Sequence, residues 1–242
     1  MAARTRTREQ APRTRAPASI ATLRRTAAHC RACPLWKPAT QTVFGEGPDD
    51  ARIMLIGEQA GDREDLEGLP FVGPAGRLLD QALAEVGIER NRLYVTNVIK
   101  HFKFEQRGKR RLHKRANAAE IAACRRWLDA ERAAIAPRFV VCLGAMASHV
   151  VFGAKFRLMH ERGEWLAVGG QWCLATVHPS AVLRARIAGS YDEAYAAFVA
   201  DLSRLRKLPR GTPRPEKEQP QAAGIQSASS RVRERSRKGE PR

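Results

Sequence analysis

Three segments of the chain carry residue types that could do chemistry on a bound ligand. Segment 57–76 is rich in glycine and acidic residues and includes Glu58. Glycine lets a backbone approach a ligand closely, and carboxylates can orient a water molecule or a proton. The other two are Asn97, within an apolar stretch, and the string His178-Pro179-Ser180. A lone histidine is more often structural, but its expected place beside the other two segments favours a catalytic role.

The cysteines form a second candidate site. Cys30 and Cys33 are a close pair, whereas Cys124, Cys142 and Cys173 stand alone. Four thiolates could bind a tetrahedral zinc ion or an iron–sulfur cluster, although a zinc ribbon generally uses two tight pairs. Cys173 lies in an apolar stretch and is interpreted as a core residue. The alternative is that all the cysteines are unrelated buried residues.

Segment 100–115 is strongly basic, with eight Lys or Arg residues and one Glu. It has no apolar periodicity and contains Gly108, so we expect a loop between a strand and a helix. Such a run is generally a solvated surface. Here it follows a predicted strand and interleaves Phe102 and Phe104 with cations, which favours contact with a nucleic-acid backbone and unstacked bases.

The elements that must position these residues alternate along the chain. Apolar stretches predict buried strands over 51–57, 93–99, 138–144 and 171–177, and helical spacing predicts helices over 19–29, 77–86, 116–136, 145–152 and 191–208. Buried strands separated by helices indicate a parallel sheet covered on both faces, with the ligand site at its carboxyl edge. We therefore predict an α/β protein, a three-layer α/β/α domain with a central, mostly parallel four-stranded sheet.

Charge and composition define the expected domain limits. The net charge is +18, and most of the excess lies in the two ends of the chain, which are rich in Pro, Ser, Gln and Thr. We predict a disordered basic segment over 1–17, a folded domain over 18–208 and a disordered basic tail over 209–242. The tails either add affinity for polyanions or only increase solubility. The sequence has neither an apolar stretch long enough to span a membrane nor a signal-peptide core, so a cytoplasmic protein without a membrane partner is expected.

Taken together, the strings resemble the uracil-DNA glycosylase superfamily, in particular the iron–sulfur family 4 enzymes and their X-type relatives. The resemblance covers about residues 25–205. It is carried by the cysteine order, the Gly-Glu-x-x-Gly-x-x-Glu-Asp loop, the Pro-Phe-Val-Gly-Pro-Ala-Gly string and His-Pro-Ser. The insertion ending Lys109-Arg110-Arg111-Leu112-His113 is similar to the X-type. Ala60 and Leu112 replace the Pro and Ile usual at these positions, and neither change removes a functional group.

The resemblance implies a role for each candidate residue. Glu58, His113 and His178 would be catalytic: Glu58 orients the nucleophile, His113 captures the sugar covalently, and His178 donates a hydrogen bond to the leaving base. The implied substrate-binding residues are Asn97 at the uracil edge, Phe71 on its face, and Gln59 and Asp62 on the sugar side. Lys109, Arg110, Arg111 and Ser180 would contact the DNA backbone, and Cys30, Cys33, Cys124 and Cys142 would hold a 4Fe–4S cluster.

Three hypotheses follow for the activity. The leading one is an X-type enzyme, acting as a monomer on uracil-containing DNA, preferably single-stranded, and ending as a covalent adduct with the abasic sugar. The second is a turning-over family 4 enzyme that releases abasic DNA. The third is a non-catalytic iron–sulfur protein that recognises uracil or abasic sites, which the joint presence of Glu58, Asn97, His113 and His178 disfavours.

Overall fold

The computed structural model describes residues 18–213, which form a mostly parallel sheet with helices on both faces. The strands are β1 (Ile53–Gln59), β2 (Leu93–Ile99), β3 (Phe104–Arg107), β4 (Arg110–His113), β5 (Phe139–Leu143), β6 (Trp165–Val168) and β7 (Gln171–Thr176). The helices are α1 (Ile20–Ala27), α2 (Asp62–Glu67), α3 (Pro74–Glu85), α4 (Ala118–Ile135), α5 (Ala145–Phe152), α6 (Leu158–Glu161), α7 (Pro179–Ala185) and α8 (Tyr191–Leu202). The predicted α/β fold class is confirmed.

The central sheet has five strands in the order β2-β1-β5-β7-β6, so the expectation of four was one strand short. The four predicted strands are present and pair in parallel, whereas β6 pairs antiparallel with β7 at the edge. β6 has only four residues, all half-buried, and joins β7 through Gly169 and Gly170. A short edge strand of this kind lacks the continuous apolar run that marked the others.

Alternate residues of the central strands enter two separate cores, which establishes the three layers. Met54 and Ile56 pack on the face covered by α1, α4 and α5, while Leu55 packs on the face covered by α3, α7 and α8. The central strand β5 divides in the same way. Because side chains alternate across a strand, a sheet buried on both faces needs apolar residues at consecutive positions.

Local signals set the limits of the long helix α4. The Asn117 side chain accepts a hydrogen bond from the Glu120 backbone, and the Glu120 carboxylate accepts one from the Asn117 backbone. This reciprocal capping begins the helix. Ala136 adopts a left-handed conformation with φ of 48°, and the helix ends there, before Pro137 as predicted.

Residues 104–113 form a hairpin rather than the predicted loop. β3 and β4 pair antiparallel, from Phe104 opposite His113 to Arg107 opposite Arg110, and Gly108 takes a positive φ of 56° in the turn. Glycine at a hairpin turn was the available signal. The hairpin was not predicted because its two strands are highly charged and show no alternation of apolar and polar residues.

The ends of the chain lie largely outside the described residues, so the predicted disorder of 1–17 and most of 209–242 stays a prediction. Residues 209–213 are described, and the Arg138 side chain donates hydrogen bonds to the carbonyls of Pro209 and Gly211. Within the described range, no helix is both long and apolar enough to cross a membrane.

Candidate active site

A cavity of about 750 Å³ opens at the carboxyl edge of the sheet, where the parallel-sheet argument places a ligand site. It brings together residues from β1, β2, the hairpin and the start of α7. The predicted site residues that line it are Glu58, Gln59, Asp62, Phe71, Asn97, His113, His178 and Ser180. Residues separated by up to 122 positions in the sequence therefore face one space.

Asn97 and Phe71 form the floor of the cavity. Asn97 is 3% exposed, and its Oδ1 has no hydrogen-bond partner within the described part of the chain. A Cβ atom at Gly57 would lie 2.3 Å from that Oδ1 and 2.4 Å from the Phe71 ring, so only glycine allows this arrangement. A buried amide oxygen without a partner is costly, and a ligand with an N–H group would satisfy it.

His178 is held as a neutral hydrogen-bond donor. The Ser180 backbone N–H donates to His178 Nδ1 over 3.1 Å, so Nδ1 is unprotonated and the proton of the neutral ring sits on Nε2. Burial, with added repulsion from Arg184 and His113, lowers the pKa of His178 to about 4. The ring therefore remains uncharged at neutral pH, with Nε2–H available to a ligand.

His113, the last residue of β4, faces the same cavity as Glu58. Partial burial lowers the pKa of His113 below its usual value; the Glu58 carboxylate opposes this shift and Arg184 adds to it. Glu58 Oε1 accepts a hydrogen bond of 2.8 Å from the Met146 backbone at the start of α5. The site thus pairs a fixed carboxylate with a second neutral imidazole.

Arg111 fixes the hairpin that carries His113. Its guanidinium donates to Asp62 and to the fully buried Asp65, each over 2.6 Å. The same group lies 5.3 Å from the centre of the Phe102 ring and 5.1 Å from that of Phe104. These contacts attach the hairpin to α2, at the edge of the cavity.

Gln59 secures the base of the hairpin. Its Nε2 donates to the Lys114 carbonyl over 3.3 Å and makes a longer contact of 3.5 Å with the Lys103 carbonyl. Its Oε1 is buried and has no partner among residues 18–213. Gln59 therefore contributes both to the wall of the cavity and to the anchorage of the hairpin.

The predicted backbone-binding residues separate into two groups. Lys109 and Arg110 are exposed and line a second, smaller depression beside the cavity. Arg111 is only 18% exposed and engaged with two carboxylates, and its predicted contact with DNA phosphates stays a prediction. The Ser180 hydroxyl contacts His178 Nδ1 and accepts from Arg184, so within the protein it supports His178.

Arg184 is a cavity residue that the sequence argument missed. It lines the cavity, contacts Ser180 and influences the pKa of both histidines. The sequence could have indicated it. Arg184 lies four residues after Ser180 on a helix that starts at Pro179, so the two side chains lie on the same face of that helix. Its cation can stabilise negative charge that develops on a ligand.

Three of the four predicted cysteine ligands are neighbours. The pKa of Cys124 is raised to about 11, first by burial and in smaller part by Cys33 and Cys30, while Lys100 opposes the shift. Trp127 Nε1 and Arg126 donate to Cys30 Sγ over 3.1 and 3.3 Å. Burial raises the pKa of Cys30, but these bonds and one from the backbone outweigh it. N–H donors of this kind favour thiolates.

Cys142, the fourth predicted ligand, is not among the groups that shift the pKa of Cys30, Cys33 or Cys124, and its role as a ligand stays a prediction. It is fully buried in β5, and burial raises its pKa well above the usual value, with Cys173 the neighbouring thiol. β5 is a central strand, so its side chains are enclosed by the helices that cover the sheet. In the part of the chain described, no set of three or more His, Cys, Asp or Glu side chains is already arranged to hold a metal ion.

Comparison with known proteins identifies the class of protein that this fold and cavity define. A family model described as the uracil DNA glycosylase superfamily matches residues 44–203. The chain belongs to this superfamily, whose members are hydrolases acting on N-glycosyl bonds.

Curated relatives place the chain close to family 4 within the superfamily. The Type-4 uracil-DNA glycosylase of Thermotoga maritima is 42% identical over 161 residues, which cover 65% of this chain and 79% of that protein. The Type-4 enzyme of Pyrobaculum aerophilum is 33% identical over 184 residues, covering 70% of this chain and 88% of that protein. The expected kinship with family 4 is confirmed at this level.

The anchorage of the hairpin gives a first prediction. Replacing Arg111 by Met leaves Asp65 buried without its cation, an arrangement that generally costs several kcal/mol. We expect backbone amides of residues 104–113 to exchange with deuterium at least about tenfold faster, because the free energy of local opening falls. Arg110→Met, on the exposed side of the same strand, is the matched control. Unchanged protection in Arg111→Met would contradict the assignment of Arg111 as the anchor.

Proposed function

We propose that this protein excises uracil from DNA and then becomes covalently attached to the abasic sugar through His113. The observation that carries the proposal is the placement of a neutral His113 on the same cavity as Asn97, Glu58 and His178. A water-using glycosylase needs no histidine at that position.

Base recognition would take place at Asn97 and Phe71. Uracil presents an N–H donor beside a carbonyl acceptor, which matches the Oδ1 and Nδ2 of one amide. The unpartnered Asn97 Oδ1 would accept the uracil N–H, and the buried Phe71 ring would stack on the base. Cytosine has an unprotonated nitrogen and an amino group at the same places, so it would leave this Oδ1 unpaired. Reaching the cavity requires the nucleotide to be flipped out of the stack.

Bond cleavage would be assisted by His178. As the C1′–N1 bond breaks, its electron pair moves onto the uracil, and negative charge collects on a carbonyl oxygen of the base. The His178 Nε2–H, fixed by the Ser180 contact to Nδ1, would donate to that oxygen. A preorganised donor in a partly dry site stabilises such developing charge strongly.

The cationic sugar that remains would be captured by His113. The lone pair of its unprotonated ring nitrogen would form a bond to C1′, and the proton on the other nitrogen would then leave to Glu58 or solvent. The close carboxylate of Glu58 would stabilise the positive charge on both the sugar and the alkylated ring. A positioned nucleophile can reach effective molarities of about 10⁵–10⁸ M, enough to compete with water.

The surroundings of the cavity support single-stranded DNA as the preferred substrate. The exposed side chains of Leu66 and Leu112 lie beside Lys109 and Arg110 in the second depression. Cations next to exposed apolar groups suit phosphates and unpaired bases. The basic ends of the chain would add affinity that does not depend on sequence. A monomer in the cytoplasm remains our expectation.

The thiols fit a 4Fe–4S cluster beside α4, whose second turn carries Cys124. Cys30, Cys33 and Cys124 would be ligands, and the cluster would brace the fold, since bound metal adds to folding free energy. His101 is the candidate for the fourth ligand. It is buried and directly follows Lys100, whose backbone N–H donates to Cys124 Sγ.

The hydrogen bonds of Thr42 support this choice. The Thr42 hydroxyl donates its proton to the Ala27 carbonyl and contacts His101 Nε2 over 2.9 Å. In the second contact the hydroxyl oxygen can therefore only accept. His101 must therefore donate from Nε2, which leaves a lone pair on Nδ1.

Visible absorption and iron content test the cluster. We expect brown protein with broad absorbance near roughly 400 nm. Cys124→Ser should lose the colour and most of the iron, whereas Cys142→Ser should keep both, because the thiol that influences the pKa of Cys142 is Cys173 and none of the other three. Protein that is colourless and binds zinc would contradict the proposal, and loss of the cluster in Cys142→Ser would restore Cys142 as a ligand.

The covalent step is tested by His113→Ser on a denaturing gel with uracil-containing single-stranded DNA. The unmodified protein should give a heat-stable shifted band. His113→Ser should lose that band and still release uracil, because water can reach the same cationic sugar. His160→Ser is the control, since His160 is not among the residues that line the cavity. An adduct that survives in His113→Ser would show that another residue attacks. A strand cleaved only after alkali, with unmodified protein, would instead indicate ordinary turnover.

A further inference from the structure

Lys100 is a buried cation that the proposed reaction does not use. It directly follows β2, three residues after Asn97, and its side chain is 1% exposed. Its ammonium group donates to Glu131 Oε2, to Thr96 Oγ1 over 2.6 Å and to the Asn97 carbonyl over 2.8 Å. All three ammonium protons are therefore used, and each partner is fixed in the protein interior.

Glu131 completes the arrangement from α4. It is fully buried and accepts hydrogen bonds from the Gly45 backbone, the Tyr94 hydroxyl and Thr96, as well as from Lys100. Hydrogen bonds within the protein thus satisfy both charged groups of the pair. Even so, removing two charges from water is expensive, and apolar residues of similar volume often stabilise a protein as well or better. A role beyond stability is therefore worth seeking.

The contacts of Lys100 extend to the two parts of the proposed enzyme. On one side, the ammonium group holds the peptide of Asn97, whose side chain lies on the floor of the cavity. On the other side, the backbone N–H of Lys100 donates to Cys124 Sγ over 3.3 Å, and its charge opposes the rise of the Cys124 pKa. Lys100 therefore contacts both the end of β2 that carries Asn97 and the cysteine cluster, through Cys124.

We propose that Lys100, paired with Glu131, is a positioning residue for base recognition. It fixes the peptide at the end of β2 so that the Asn97 amide stays aimed into the cavity, and it ties that peptide to Cys124. The position of the Asn97 amide and the position of Cys124 are thereby coupled through the rigid contacts of Lys100. This inference rests on the proposed function in one respect, the role of Asn97 in binding uracil.

The test removes both charges together, because a single substitution would leave a buried unpaired charge. In Lys100→Met/Glu131→Leu, we expect single-turnover excision of uracil from single-stranded DNA to fall at least about tenfold. Affinity for the same strand with a tetrahydrofuran abasic analogue should change less than about threefold, because that ligand makes no base contact. Asn97→Ala should show the same selective loss.

Matched variants separate positioning from a structural role. Arg162→Met breaks another poorly exposed ion pair, between Arg162 and Asp201, and should lower the melting temperature without a selective loss of excision. If the double variant does not fold, Lys100→Gln/Glu131→Gln, which keeps hydrogen-bonding groups and leaves no charge unpaired, is measured in the same way. Wild-type excision in either folded variant would overturn the inference. Failure of the unmodified protein to excise uracil would instead overturn the proposed function.

Discussion

The arrangement of the candidate active site depends on the contacts of one side chain, Arg111. Its guanidinium binds Asp62 and the buried Asp65 and stacks against Phe102 and Phe104. Without these contacts the hairpin would be a short, highly charged ribbon, and two isolated strands are at best marginally stable in water. The anchorage is what turns a basic insertion into a fixed wall of the cavity. A cation predicted to contact DNA thus also stabilises the protein's own fold.

The second constraint is electrostatic. Desolvation lowers the pKa of both cavity histidines, strongly at the buried His178 and at His113 although that residue is still exposed, and each would do a different task in the neutral state. His178 is restricted to one tautomer by the Ser180 backbone, so it can only donate towards the ligand. At a pH low enough to protonate His113, the ring would lose the lone pair that the proposed attack needs. Cations nearby, Arg184 above all, add to the shift in both rings, whereas the Glu58 carboxylate limits it at His113.

Much of this could be predicted from the sequence, and each failure has a physical cause. Continuous apolar runs identified the four parallel strands, and the residues at the carboxyl ends of β1 and β7 identified the cavity, because parallel strands bring these ends to one edge. The hairpin and β6 were missed, since neither has the apolar pattern of a buried strand. Cys142 was grouped with the other thiols from its order in the chain alone. The predicted buried strand over 138–144 already contained Cys142, but only the fold reveals that Cys173 is its neighbouring thiol.

The central claim is that His113 is the residue that bonds to the sugar, and mass spectrometry of the adduct tests it most directly. Protein incubated with uracil-containing single-stranded DNA is digested with a protease and a nuclease, and the modified peptide is sequenced by fragmentation. The account predicts a deoxyribose-derived mass on His113 and on no other residue. The same mass on Glu58 or Asp62, or a protein that releases many uracils per molecule without becoming modified, would contradict it.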